Sequence, residues 1–207
     1  MSSRRAYLAL ALAAAVTSLP SGCAERHDKS SPPCVCRPDD ALSPELMSML
    51  AVARAHHHRA DLLLQRRPPQ LARAIDAVRA ILALKLDRRY AEAEEVRLDA
   101  TARLAKLQAR SGDLAGALRT VRQQLKVPAR QSFYLANLHA VHGELLQQQV
   151  DRLRKSGDGV TAKETARRAM RAFETSIAIN ERLLRELQRS PRGAARPPAE
   201  HGTGGQR

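Results

Sequence analysis

Tryptophan is absent from this 207-residue sequence, and two phenylalanines and three tyrosines are its only aromatic residues. A core must therefore be built from aliphatic side chains. Nowhere do β-branched residues alternate strictly with polar ones, which excludes a recognisable half-buried strand. Alanine, leucine and arginine dominate instead, and these are strong helix formers, so an all-α protein is expected. The three cysteines, Cys23, Cys34 and Cys36, are too few for a four-thiolate zinc site, and no Cys-x-x-Cys-His run offers a haem attachment. No glycine-rich phosphate loop, serine elbow or His-Glu-x-x-His is present. Neither enzymatic activity nor a cofactor is expected.

Acidic residues are also in short supply, 21 against 35 lysines and arginines, for a formal charge of +14. The arginines are spread along every predicted helix, and neither a clustered patch nor an aromatic platform accompanies them. Solvated helix faces are the expected reading, without a nucleic-acid partner. Attraction to anionic envelope surfaces or polymers is the alternative kept open, with a metal-dependent enzyme behind it.

The ends differ from the middle. Arg4 and Arg5 precede an apolar run from Ala6 to Val16, followed by small and polar residues up to Cys23. The run falls well short of the roughly 20 residues that span a bilayer, which suits a cleaved signal peptide over 1–22. Ser21-Gly22-Cys23 resembles the lipobox of bacterial lipoproteins, although Pro20 stands where that family favours leucine. The resemblance implies that Cys23 becomes the first residue of the mature chain. It would carry a diacylglyceryl thioether and further acyl chains of the palmitate type, which together hold a protein durably on a membrane. Ala24 after the cysteine implies, by the same resemblance, an outer-membrane protein facing the periplasm. An ordinary secretory signal or an uncleaved anchor is the alternative.

Residues 23–42 are polar and rich in proline, and read as a flexible tether. Within it Cys34 and Cys36 are expected to form a disulfide, with pairing between chains or ligation of a soft metal as alternatives. Residues 189–207 have the proline and glycine content of a disordered tail. Between them, 43–188 is long enough for one helical domain.

Six helices are predicted there. Ser43-Pro44 opens the first as cap and first-turn proline. Its stripe is Leu46, Leu50, Ala53, His57, Ala60 and Leu64, and Arg66-Arg67-Pro68-Pro69 ends it. His56 and His58 point about 100° to either side of His57, so the triple histidine is a poor metal site. A second helix carries Leu71, Ala74, Ile75, Val78, Ile81 and Leu82, and a third runs from Tyr90 to Arg110. Ser111-Gly112-Asp113 separates the third from the fourth, glycine ending one helix and aspartate capping the next. The expected contact sets Ala100, Leu104 and Leu107 against Leu114, Ala117, Leu118, Val121 and Leu125. The fifth helix runs from about Gln131 to Ser156, and Gly157-Asp158-Gly159 reads as a flexible link. The sixth is expected to turn Ala162, Ala166, Ala169, Phe173, Ile177 and Leu184 inward. His139 and His142, three apart, are a weak metal pair with no acid in register.

The second helices of the three hairpins align without gaps: LARAIDAVRAIL from Leu71, LAGALRTVRQQL from Leu114 and ARRAMRAFETSI from Ala166. Ala74, Ala117 and Ala169 coincide, as do Val78, Val121 and Phe173, then Leu82, Leu125 and Ile177. This pattern resembles the second helix of a tetratricopeptide repeat (TPR), in which a small residue permits close helix contact. Gly112-Asp113, Pro128 and the small Gly143 fall where that family places such residues. The spacing of the alanines departs from the family's 34-residue period, and the large aromatic of its first helix is missing. The resemblance implies antiparallel hairpins stacked as a short TPR-like solenoid that holds a peptide or protein partner, with a generic helical bundle as the alternative architecture. Polar faces of the first helices, with Arg97, Gln108 and Asn137 as candidates, would line the groove. The expected function is a membrane-anchored, non-enzymatic scaffolding or protein-interaction module of the cell envelope.

Overall fold

The computed structural model describes residues 43–189, except 86 and 88. The signal, lipidated tether and tail assignments, including Cys23, Cys34 and Cys36, therefore lie outside the described residues, apart from Arg189. The described chain is all-helical: α1 (Pro44–Gln65), α2 (Leu71–Leu82), α3 (Ala91–Arg110), α4 (Leu114–Leu125), α5 (Phe133–Lys155) and α6 (Gly159–Arg189). Ser43 caps α1 by accepting from the Leu46 amide at 3.1 Å, and Ser132 does the same for Leu135 on α5 at 3.2 Å. These bonds satisfy amides that the first helical turn leaves without a partner.

The turns of the second and third hairpins are built alike. In the α3–α4 turn the Ser111 amide donates to Leu107, Gly112 to Ala109 and Asp113 to Gln108. In the α5–α6 turn Ser156 donates to Arg152, Gly157 to Arg154 and Asp158 to Leu153. Both serine hydroxyls bond back three residues, and both aspartates cap the next helix, Asp113 through Gly116 and Asp158 through Thr161. Gly112 and Gly157 hold φ of 96° and 83°, the left-handed conformation that favours glycine at a helix end. The Gly157-Asp158-Gly159 segment is thus a second copy of a hydrogen-bonded turn, in place of the flexible link expected. The reason is local: the same Ser-Gly-Asp order satisfies the same orphan carbonyls and amides.

Helix α3 has two buried faces, and this corrects the expected hairpin contact. Ala100, Leu104 and Leu107 pack into a cluster with Ala53, Ala60 and Leu63 of α1 and Ala74, Val78 and Ile81 of α2. The face toward α4 is made instead by Leu98, Ala102 and Ala105, which join Leu114, Ala117, Leu118 and Val121. Two residues along a helix is a rotation of about 200°, so Ala100 and Ala102 serve opposite sides. Leu138, Val141, Leu145 and Leu146 of α5 and Ala169 of α6 complete that second cluster.

Among the described residues each helix packs only on helices one or two places away in the chain, and α6 packs on α5 alone. A closed bundle would return α6 to α1. The buried stripe of α6 also differs from expectation. Ala162, Thr165, Ala169, Ala172, Ser176 and Ile179 face inward at steps of three and four. Ile177 and Leu184 are 57% and 51% exposed. Small residues won because they let α6 lie close to α5; Phe173 fills the space over Gly143, where an added Cβ would stand 2.7 Å from its ring.

Candidate functional site

The first helices of the three hairpins, α1, α3 and α5, converge on one cavity of about 350 Å³. Leu50 and Ala53 of α1 and Val96 of α3 give it an apolar wall, Tyr134 comes from α5, and Glu92, Glu95 and Asp99 line the α3 side. Glu95 is held above the ordinary glutamate value, chiefly by burial and then by Glu92 and Glu94 beside it. Arg54 and His57 supply the cationic side.

His57 anchors this wall through a chain of polar contacts between α1 and α3. An Arg103 Nη1–H donates to His57 Nδ1 at 3.1 Å, and a second Arg103 nitrogen donates to Asp61. The proton of the neutral imidazole therefore sits on Nε2, which faces Asp99 Oδ2 at 3.4 Å. Burial, and secondarily the Arg103 charge, push His57 below the ordinary histidine value despite Asp99 and Asp61. Both ring nitrogens are engaged inside the protein. The imidazole is a strut here, and the cavity offers shape, apolar contact and charge, with no serine, threonine, cysteine or lysine in its lining.

This network was not singled out from the sequence, although its signal was present. His57 and Asp61 stand one turn apart on α1, as do Asp99 and Arg103 on α3. Which face of α3 meets α1 was the missing knowledge. Of the residues expected to line a groove, Gln108 is placed elsewhere: it is buried, and its Oε1 accepts from the Thr120 hydroxyl at 2.8 Å. Arg97 lines a cavity with Thr101, Thr120 and Gln124 on the α4 side, and Asn137 is exposed on α5. His56 and His57 are partly buried while His58 is exposed, so the three diverge around α1. His139 and His142 share α5 at one side, and burial lowers both below the usual histidine value. Among the described residues no group of three or more His, Cys, Asp or Glu is placed to hold a metal ion.

No protein-family model, curated protein or solved structure matches this chain.

Proposed function

We propose that this chain is a lipid-anchored, non-enzymatic module of the bacterial envelope that holds a protein or peptide partner against the faces of α1, α3 and α5. The observation that carries the reading is the repetition of one hairpin design. The same Ser-Gly-Asp turn closes α3–α4 and α5–α6, and packing runs only between near neighbours in the chain. Repeats of this kind bury a continuous core while leaving one face of each unit available. That supports the tetratricopeptide-like reading, and the cavity shared by α1, α3 and α5 supplies a surface drawn from all three hairpins.

The anchor rests on the sequence from Arg4 to Cys23. In a bacterium that processes lipoproteins, intact mass should show acylated Cys23, with partitioning into detergent that Cys23→Ser abolishes. A photo-crosslinking residue at Tyr134 or Glu92 should then capture a discrete partner in the envelope, while one at exposed Arg110, away from the cavity, captures none. An unmodified, detergent-excluded wild type overturns the anchor. Equal labelling from Tyr134 and Arg110 overturns the holding surface.

A further inference from the structure

The last helix of a stacked array has no further neighbour within its own chain, and its outer face is then normally polar. The outer face of α6 is not. Met170, Ile177 and Leu184 stand seven residues apart, and Phe173, Asn180 and Leu187 each follow by three. These are the a and d positions of a heptad, which stay on one side of a helix for two turns at a time. Met170 and Leu187 are 61% and 59% exposed, in line with Ile177 and Leu184. Phe173 and Asn180 are partly exposed. The stripe is distinct from the small residues that meet α5, and none of its members lines the α1–α3–α5 cavity.

Helix length gives a second, independent sign. α6 has 31 residues against 23 in α5, the one helix on which it packs among the described residues. Arg182 donates to Gln131 Oε1 at 3.1 Å, and Gln131 already precedes α5. Every residue from Leu184 to Arg189 is exposed. Helical turns without a neighbour gain no burial, and short lone helices are marginal in water. Yet this overhang is helical and carries Leu184 and Leu187, the last two members of the stripe.

We infer that α6 pairs with α6 of a second copy of this chain, parallel and in register, as a two-stranded coiled coil. Asn180 selects the occupant. Against an apolar surface its amide would be buried without partners, whereas Asn180 of a second copy offers a donor and an acceptor in return. A single buried asparagine of this kind fixes register and favours pairs of helices. The flanking charges select the direction. An antiparallel pair sets Glu174 beside Glu181 of the other copy, whereas in a parallel pair both face the uncharged positions of Ala169, Ser176 and Leu183. The stripe and its flanks offer roughly 700–800 Å² per copy, close to the about 800 Å² that each partner of a stable, specific complex buries. The pair is isologous, so it closes on itself and leaves the cavity of each copy open.

The test coexpresses two full-length copies with different tags, one of them carrying a photo-crosslinking residue at Ile177 or Leu184. The expected product carries both tags, and its adducts map to Ile177–Leu187 of the other copy. A crosslinker at Leu62, equally exposed on α1, should give no such product. Ile177→Lys combined with Leu184→Lys should lower the yield from Leu187 at least tenfold, and Asn180→Asp, which sets two carboxylates together in the seam, should do the same. All of these positions are at least partly exposed, and thermal melts of the variants separate loss of pairing from loss of the fold. If the lysine variant fails to fold, Asn180→Asp alone decides. Adducts to some other protein, with no product carrying both tags, overturn the second copy as occupant. Adducts from Leu184 that map to Ala166–Phe173 overturn the parallel register. A yield that the lysines leave unchanged, or that Leu62 matches, overturns the α6 interface altogether.

Discussion

Helices α1 and α3 add a chain of charged side chains beside their shared apolar cluster, whereas α6 meets α5 through a stripe of small residues. In the first, Arg103 spans from α3 to His57 and Asp61 of α1, and Asp99 completes the exchange. In the second, Ala162, Ala169, Ala172 and Ser176 bring α6 close enough for Phe173 to cover Gly143. The difference teaches where each kind of contact is useful. Close backbone approach maximises dispersion and burial and leaves no room for a solute. Between α1 and α3 long polar side chains bridge the helices, and a cavity lined by His57 and Asp99 opens beside that bridge.

Three perturbations should widen or collapse this contrast. The largest effect is expected from Gly143→Leu, which drives an isobutyl group into the Phe173 ring and should cost about 2–3 kcal/mol in denaturant unfolding, independent of salt. Next is pH. The folded-state pKa of His142 lies at about 4, below the ordinary 6.5, so the unfolded chain takes up the proton first. Its contribution to stability is present above pH 6.5 and is lost as pH falls toward about 4. Solvent screening at this partly exposed site reduces the loss to the order of 1–2 kcal/mol. His142→Gln should flatten the stability profile in that window, measured by urea melts at successive pH values. The smallest effect belongs to Arg103→Met. Asp61 is half exposed, so losing the bridge should cost only about 1 kcal/mol, and 0.5 M salt should erase much of the difference. A salt-insensitive loss of 3 kcal/mol or more there would mean that the strut is packed as tightly as the α5–α6 seam, and the contrast would disappear.

What could be read from the sequence followed from local rules. Ser43-Pro44, the Ser-Gly-Asp turn and the stripes of α1 and α2 each rest on residues within a few positions of one another. The all-helical character needed nothing more. The inward face of α6 was misjudged because Ile177 and Leu184 carry more apolar surface than Thr165, Ala172 and Ser176. Side-chain size signals burial only where the neighbour leaves room for it, and α5 does not. On α3, both sides are buried, and periodicity finds two stripes without saying which neighbour each meets. The His57 network lies between helices, so its members become a set only once the register of α1 against α3 is known. Tyr134 joins the α1–α3 cavity from far along the chain, and nothing near it in sequence announces that place.

The restriction of packing to near neighbours has a consequence for how the molecule comes into being. A chain whose helices wait only for the next one or two can consolidate its first hairpin and α3 while the rest is still being synthesised, because no early helix depends on a late one. Pairing of neighbouring helices closes short loops, the condition associated with rapid folding and brief exposure of apolar surface. The same economy leaves α6, bound on one side only, as the segment that opens first.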